Sequence, residues 1–201
     1  MDTLVFDIET SNFFTDPEVG WDNFEALHIS ALGVYSYKKD SYRCFGEAEL
    51  REAMPLFRSA ETIVGFSINR YDVPALQLAF QRITEGERIH LWEKHRVDLA
   101  ERLEDITGRR ISLSRLAFVN LGIKKEHHGS EAIVLYREDR IAELHAYCLN
   151  DVKLTKELYD RSVRDGYLLV PDHGTDELMR ADFRSHTLTP YAREKATAAL
   201  F

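Results

Sequence analysis

The chain has 201 residues, 44% hydrophobic and 11% aromatic, with 26 Lys and Arg against 34 Asp and Glu, for a formal charge of −8 at pH 7. This ordinary globular composition excludes a disordered or fibrous chain and predicts one domain large enough to bury a sizeable core. The acidic balance excludes broad, sequence-independent coating of duplex nucleic acid, which relies on Lys and Arg displacing counterions, but leaves room for a small basic groove.

In chain order, Thr3 to Ile8 is a short apolar run that predicts a strand buried on both faces. Residues 27–37 and 41–45 are further strands, and the polar Lys38-Lys39-Asp40 between them predicts a hairpin. Residues 47–60 carry Leu50, Met54 and Phe57 at helical spacing, and residues 62–66 return to a buried strand pattern. Pro74 fits the first position of a helix running to about Arg82. A strand at 96–99 leads into a helix that Gly108 stops, and a helix over 112–121 is closed by Gly122. The longest periodic stretch, from about Glu138 to Arg164, places Ile141, Leu144, Cys148, Val152, Thr155 and Tyr159 on one face, with Gly166 beyond it. Three early strands followed by alternating helices and strands predict an α/β layered fold with a mixed sheet. After residues 167–170 the sequence is polar up to a short helix expected after Pro190. Residues 1–170 are therefore assigned to one domain and 171–201 to a C-terminal extension with no role assigned.

Cys44 and Cys148 fit no Cys-x-x-Cys spacing, and none of the eight His residues forms a His-Glu-x-x-His pair, so neither a disulfide framework nor a zinc site is expected. The amino terminus, Met-Asp-Thr, lacks a basic leader, and no stretch approaches the length of a membrane span. The expectation is a soluble, cytoplasmic protein with no membrane partner.

Three acidic segments stand out. Asp7 and Glu9 interrupt the end of the apolar first strand, and residues two apart on a strand share a face. Their like charges repel, and a divalent cation resolves the conflict. The pattern alone is weak, since Glu47-x-Glu49 and Glu85-x-Glu87 repeat it in polar segments. Asp72 precedes the helix at Pro74 and reads equally as an N-cap; Asn69 reads equally as a turn residue. Tyr147 and Asp151 lie four apart on the long helix, hence on one face, and Tyr147 is the only tyrosine with an acid at that spacing.

Phe6-Asp7-Ile8-Glu9-Thr10, then Asn69-x-x-Asp72, then Tyr147-x-x-x-Asp151, on strand end, loop and helix, resemble the DEDD 3′-5′ exonucleases, whose fold is ribonuclease H-like. The motif tyrosine is similar to the DEDDy branch, and among those to the proofreading domain of family B DNA polymerases and the YprB-type domains, over about residues 1–165. The resemblance implies a central five-stranded mixed sheet flanked by helices. It implies that Asp7, Glu9, Asp72 and Asp151 hold two divalent ions, Asp7 shared and Asp72 able to act through water, and oxygen-only ligands favour Mg²⁺ or Mn²⁺. Tyr147 would orient the attacking water, while Thr10, Phe66, Asn69 and Tyr71 would contact the terminal nucleotides. The implied activity is two-metal hydrolysis at the 3′ end of single-stranded nucleic acid, DNA slightly favoured over RNA, releasing nucleoside 5′-monophosphates.

The alternatives are a catalytically silent nucleic-acid-binding or scaffold domain and a ribonuclease H-fold endonuclease or strand-transfer enzyme. Residues 106–130 hold Arg109, Arg110, Arg115, Lys124 and Lys125 against one acid, Glu126, and read either as a phosphate-tracking strip or as a solvated face. Asp98 is read as a strand-end or cap residue, because the quartet is complete without it.

Overall fold

The computed structural model describes residues 1–21, 23–84, 89–124, 131–175 and 177–191. Lys125, Glu126 and the helix expected after Pro190 lie outside the described residues. The body is a five-stranded mixed sheet, as the resemblance implies, in the order β3-β2-β1-β4-β5. Strand β1 (Asp2–Thr10) is its centre, antiparallel to β2 (Ile29–Ser36) and parallel to β4 (Ala60–Gly65). Strand β3 (Ser41–Gly46) completes the hairpin with β2, and β5 (His95–Asp98) lies parallel to β4 at the other edge.

Alternation along β1 decides which residues go where. Leu4, Phe6 and Ile8 join a core with Met54 and Phe57 of α1 (Leu50–Ser59) and Leu76 and Phe80 of α2 (Asp72–Ile83). Val5 joins a second core with Leu103 of α3 (Leu99–Thr107), Leu116 of α4 (Leu113–Leu121) and Val152 of α6 (Ile141–Asp165). Asp7 and Glu9 share the parity of Val5, so the strand points them toward the face that α6 covers.

A short helix absent from the sequence reading, α5 (Glu131–Arg137), precedes α6. The two do not fuse because Asp139 between them is left-handed, with φ of 57°. Helix α6 therefore begins at Ile141 rather than at Glu138. Gly33 lets α6 lie close to the sheet: a Cβ there would come within 2.8 Å of Val152 Cγ2 and 2.9 Å of Cys148 Sγ. Gly33 is also the register partner of Asp7, so this close approach happens beside the acidic residues. Gly33→Ala is expected to push α6 outward and cost about 1–3 kcal/mol, read as a lower denaturant midpoint; an unchanged midpoint would show that the interface absorbs the methyl freely.

A second, three-stranded sheet is formed by β6 (Tyr167–Pro171), β7 (Leu178–Asp182) and β8 (Thr187–Pro190). Leu168, Val170 and Ala181 belong to the second core. The buried amide of Asn120 acts as a neighbouring strand would: its Nδ2 donates to the Leu169 carbonyl at 2.8 Å, and the Leu169 N–H donates to its Oδ1 at 2.8 Å. Among the described residues, no helix is long and apolar enough to cross a membrane.

Candidate active site

Asp7 and Glu9, half-buried at the carboxyl end of β1, meet Asp151, buried on α6. One carboxylate oxygen from each lies within 4.8 Å of the others, a spacing that fits ligands of a single cation. The donors are all oxygen, which suits a hard divalent ion. Asp72 does not belong to that trio but reaches the same strand end from the other side. Its Oδ1 accepts the Ile8 N–H at 3.0 Å, and its side chain is buried. The expected helix start shifts accordingly: Tyr71 is at the N-cap position, Asp72 is the first helical residue, and Pro74 is the third. The carboxylate thus serves β1 rather than capping its own helix.

Burial pushes the Asp72 carboxyl up to about 7, the Ile8 N–H pulls it down, and the charges of Asp98 and Asp151 add to the rise. Asp98 is the N-cap of α3, as the cap reading expects, accepting from Ala100 N at 3.0 Å and Glu101 N at 3.2 Å. The same carboxylate accepts from Ser67 N at 2.8 Å and Asn69 N at 2.9 Å, which fixes the loop leading to Asp72.

The other sequence candidates divide into those near the trio and those away from it. The Thr10 hydroxyl donates to the Asn12 carbonyl at 2.9 Å and so accepts from the Tyr71 hydroxyl, also at 2.9 Å. Burial first, and then the charges of Asp72, Glu9 and Asp7, hold the Tyr71 phenol above its usual range, which sets it at the rim of the acidic site. Tyr147 is buried one turn before Asp151, packed with Ala31, Leu135 and Cys148. Phe66 lines a cleft of about 380 Å³ with Arg70, Arg110 and Glu104. Glu104 holds Arg70 at 2.9 Å and Arg110 at 3.6 Å, so neither guanidinium faces the cleft without a counter-charge. The Asn69 amide is engaged within the fold, donating to Glu101 and accepting from Arg96 Nε at 2.9 Å.

Arg115 is exposed in the first turn of α4. Lys124 follows the far end of α4, over the Phe118 ring at 5.8 Å. That end is held by Arg161, whose guanidinium donates to the Asn120 carbonyl. Arg161 lies ten residues, roughly 15 Å, along α6 from Asp151.

The sequence reading missed two residues at this site. Cys148 Sγ lies 3.5 Å from the Asp7 carbonyl and 4.0 Å from its Oδ2. Gly33 makes that approach possible, and a lone glycine inside a strand pattern was the available signal.

A family model describing the RNase H superfamily matches residues 4–163. The chain belongs to the RNase H superfamily. Its β1 acids and the α6 acid therefore sit within the RNase H-like domain. Among solved structures the domain is similar to the family B DNA polymerase from the hyperthermophilic archaeon Pyrobaculum calidifontis, with a TM-score of 0.62 and 19% identity, over 81% of this chain and 24% of that chain. The chain thus spans about a quarter of the polymerase's length, and at this identity the likeness is one of fold. No curated protein matches the sequence.

Proposed function

We propose that this RNase H-superfamily chain is a metal-dependent 3′-5′ exonuclease of the DEDDy type, its nuclease unit spanning residues 1–170. It would remove nucleoside 5′-monophosphates from single-stranded 3′ ends, DNA slightly ahead of RNA. The observation that carries this reading is the convergence of Asp7, Glu9 and Asp151 oxygens within 4.8 Å at the carboxyl end of the central strand. Carboxylates this close repel one another, and a divalent cation held between their oxygens relieves that repulsion. Bound there, Mg²⁺ or Mn²⁺, two ions in all, would supply the activated water and the stabilisation of the leaving oxygen that phosphodiester hydrolysis requires.

The chain's own residues take the remaining tasks. Asp7, Glu9 and Asp151 hold the ions, and Asp72 contributes through water. Tyr147 orients the attacking water, and a reference phenol value of about 10 makes it a positioning donor rather than a base. Thr10 and Tyr71 present hydroxyl groups, and Phe66 and Asn69 present a ring and a loop, to the terminal nucleotides. Arg115, Lys124 and Lys125 are assigned to the phosphates of the strand farther from the cleaved bond.

The test is degradation of matched end-labelled DNA and RNA oligonucleotides with Mn²⁺. Progressive shortening from the 3′ end with 5′-monophosphate products, abolished by chelator, is expected. No shortening of any substrate rejects the proposal, and nicking of closed circular DNA replaces it with an endonuclease. A second prediction concerns the ion alone: about a hundredfold above its Kd, Mn²⁺ should raise the melting temperature by roughly 5 °C or more. A melting curve indifferent to both ions and chelator would remove the preformed site.

A further inference from the structure

Cys44 and Cys148 are both free thiols. Cys44 is the cross-strand partner of Gly33, and Cys148 Sγ sits 2.9 Å from where a Gly33 Cβ would lie. Directly opposed residues of an antiparallel pair keep their Cβ positions about 4.5–5.5 Å apart on one face. Cys44 therefore shares the α6-facing side of the sheet with Gly33, where it packs against the cluster that contains Cys148. Bridging them requires Cβ atoms about 3.5–4.5 Å apart, and the two partners lie on a helix and on an edge strand. Cys148 is fully buried while Cys44 is only half-buried, so an oxidant in solution reaches Cys44 first. On its other side Cys148 Sγ touches Asp7, 3.5 Å from the carbonyl and 4.0 Å from Oδ2.

We propose that Cys44 and Cys148 form a redox-modification site, in which a peroxide converts the pair to a disulfide that draws the Cys148 sulfur off Asp7 and weakens cation binding by the acidic trio. The weakening rests on the metal reading proposed above; the disulfide does not. The Cys44 thiolate attacks a peroxide oxygen, breaking the O–O bond, and takes up a hydroxyl to become a sulfenic acid; the departing hydroxide gains a proton and leaves as water. The Cys148 sulfur then attacks the Cys44 sulfur, the S–S bond forms as the S–O bond breaks, and the Cys148 proton leaves with that hydroxide as a second water. Two thiols are oxidised by two electrons, and one peroxide is reduced to two waters.

The full-length folded protein is treated with hydrogen peroxide and followed by intact mass, thiol titration after denaturation, and peptide mapping. The Mn²⁺-induced rise in melting temperature is measured before treatment, after it, and after dithiothreitol. Loss of two hydrogens, disappearance of both thiols, a 44–148 linked peptide and a Mn²⁺ shift reduced to about half or less, restored by dithiothreitol, are expected. Cys44→Ser, with Cys44→Ala as a substitute should serine unfold the protein, is expected to keep its full Mn²⁺ shift through the same treatment. Added oxygen without a linked peptide overturns the proposal, as does a linked peptide that leaves the Mn²⁺ shift intact. A reduced protein with no Mn²⁺ shift at all rejects the metal reading and with it the weakening, while the linked peptide alone then decides the modification site.

Discussion

Replacing Asp7 with alanine is expected to slow phosphodiester hydrolysis by about 10³-fold or more while the fold persists. Losing one carboxylate from a metal-assisted site removes several kcal/mol of transition-state stabilisation, and each 1.36 kcal/mol is a factor of about ten. The side chain is only half-buried and its backbone remains in the ladder with Gly33, so truncation opens little core. It also removes one of three crowded like charges. In chelator the variant should therefore be at least as stable as the parent, and it should lose the Mn²⁺-induced rise in melting temperature. Circular dichroism, thermal scans and single-turnover hydrolysis separate these effects; a variant that keeps a tenth of the parent's rate would place the chemistry elsewhere.

Asp72→Asn is expected to stabilise the metal-free protein at pH 8 by on the order of 1–4 kcal/mol while abolishing hydrolysis. In the unfolded chain the group titrates near 3.8, whereas the folded site keeps its proton until about 7. Its contribution to stability is therefore complete below about pH 4, falls between pH 4 and 7 as only the unfolded state ionises, and stays low above 7. Asparagine retains an oxygen for the Ile8 N–H and carries no charge, so it removes that fall. The gain over the parent should be smaller at pH 5 than at pH 8, where it is largest, measured by urea unfolding in chelator. Equal gains at both values would show that the carboxyl is not held protonated by burial.

The elements that position the acids were legible because each follows a simple period. Residues 3–8 alternate between two buried faces, and the 141–165 helix carries an apolar stripe that ends at a glycine. The same alternation is enough to put Asp7 and Glu9 on one face. Strands β7 and β8 were not legible, because an outer sheet with mostly solvated residues shows no apolar alternation, and Pro190 is tolerated only since β8 is an edge. The tether from Ile8 to Asp72 and the meeting of Cys44 with Cys148 were hidden for another reason. Both depend on which residues of distant segments lie opposite one another, and register is a property of the assembled sheet.

The bond between Ile8 and Asp72 also accounts for where the crevice opens. The parallel pairing of β1 with β4 ends at Val5 and Val64, although β1 runs on to Thr10. Beyond that point the β4 side of β1 has no strand to zip to, and the Ile8 amide is satisfied by a carboxylate instead. The two strands part like an unfastened seam, and the acids line the opening. The length of the seam, more than the identity of the acids, sets the depth of the pocket: two further rungs between β1 and β4 would sew it shut with every carboxylate still in the sequence.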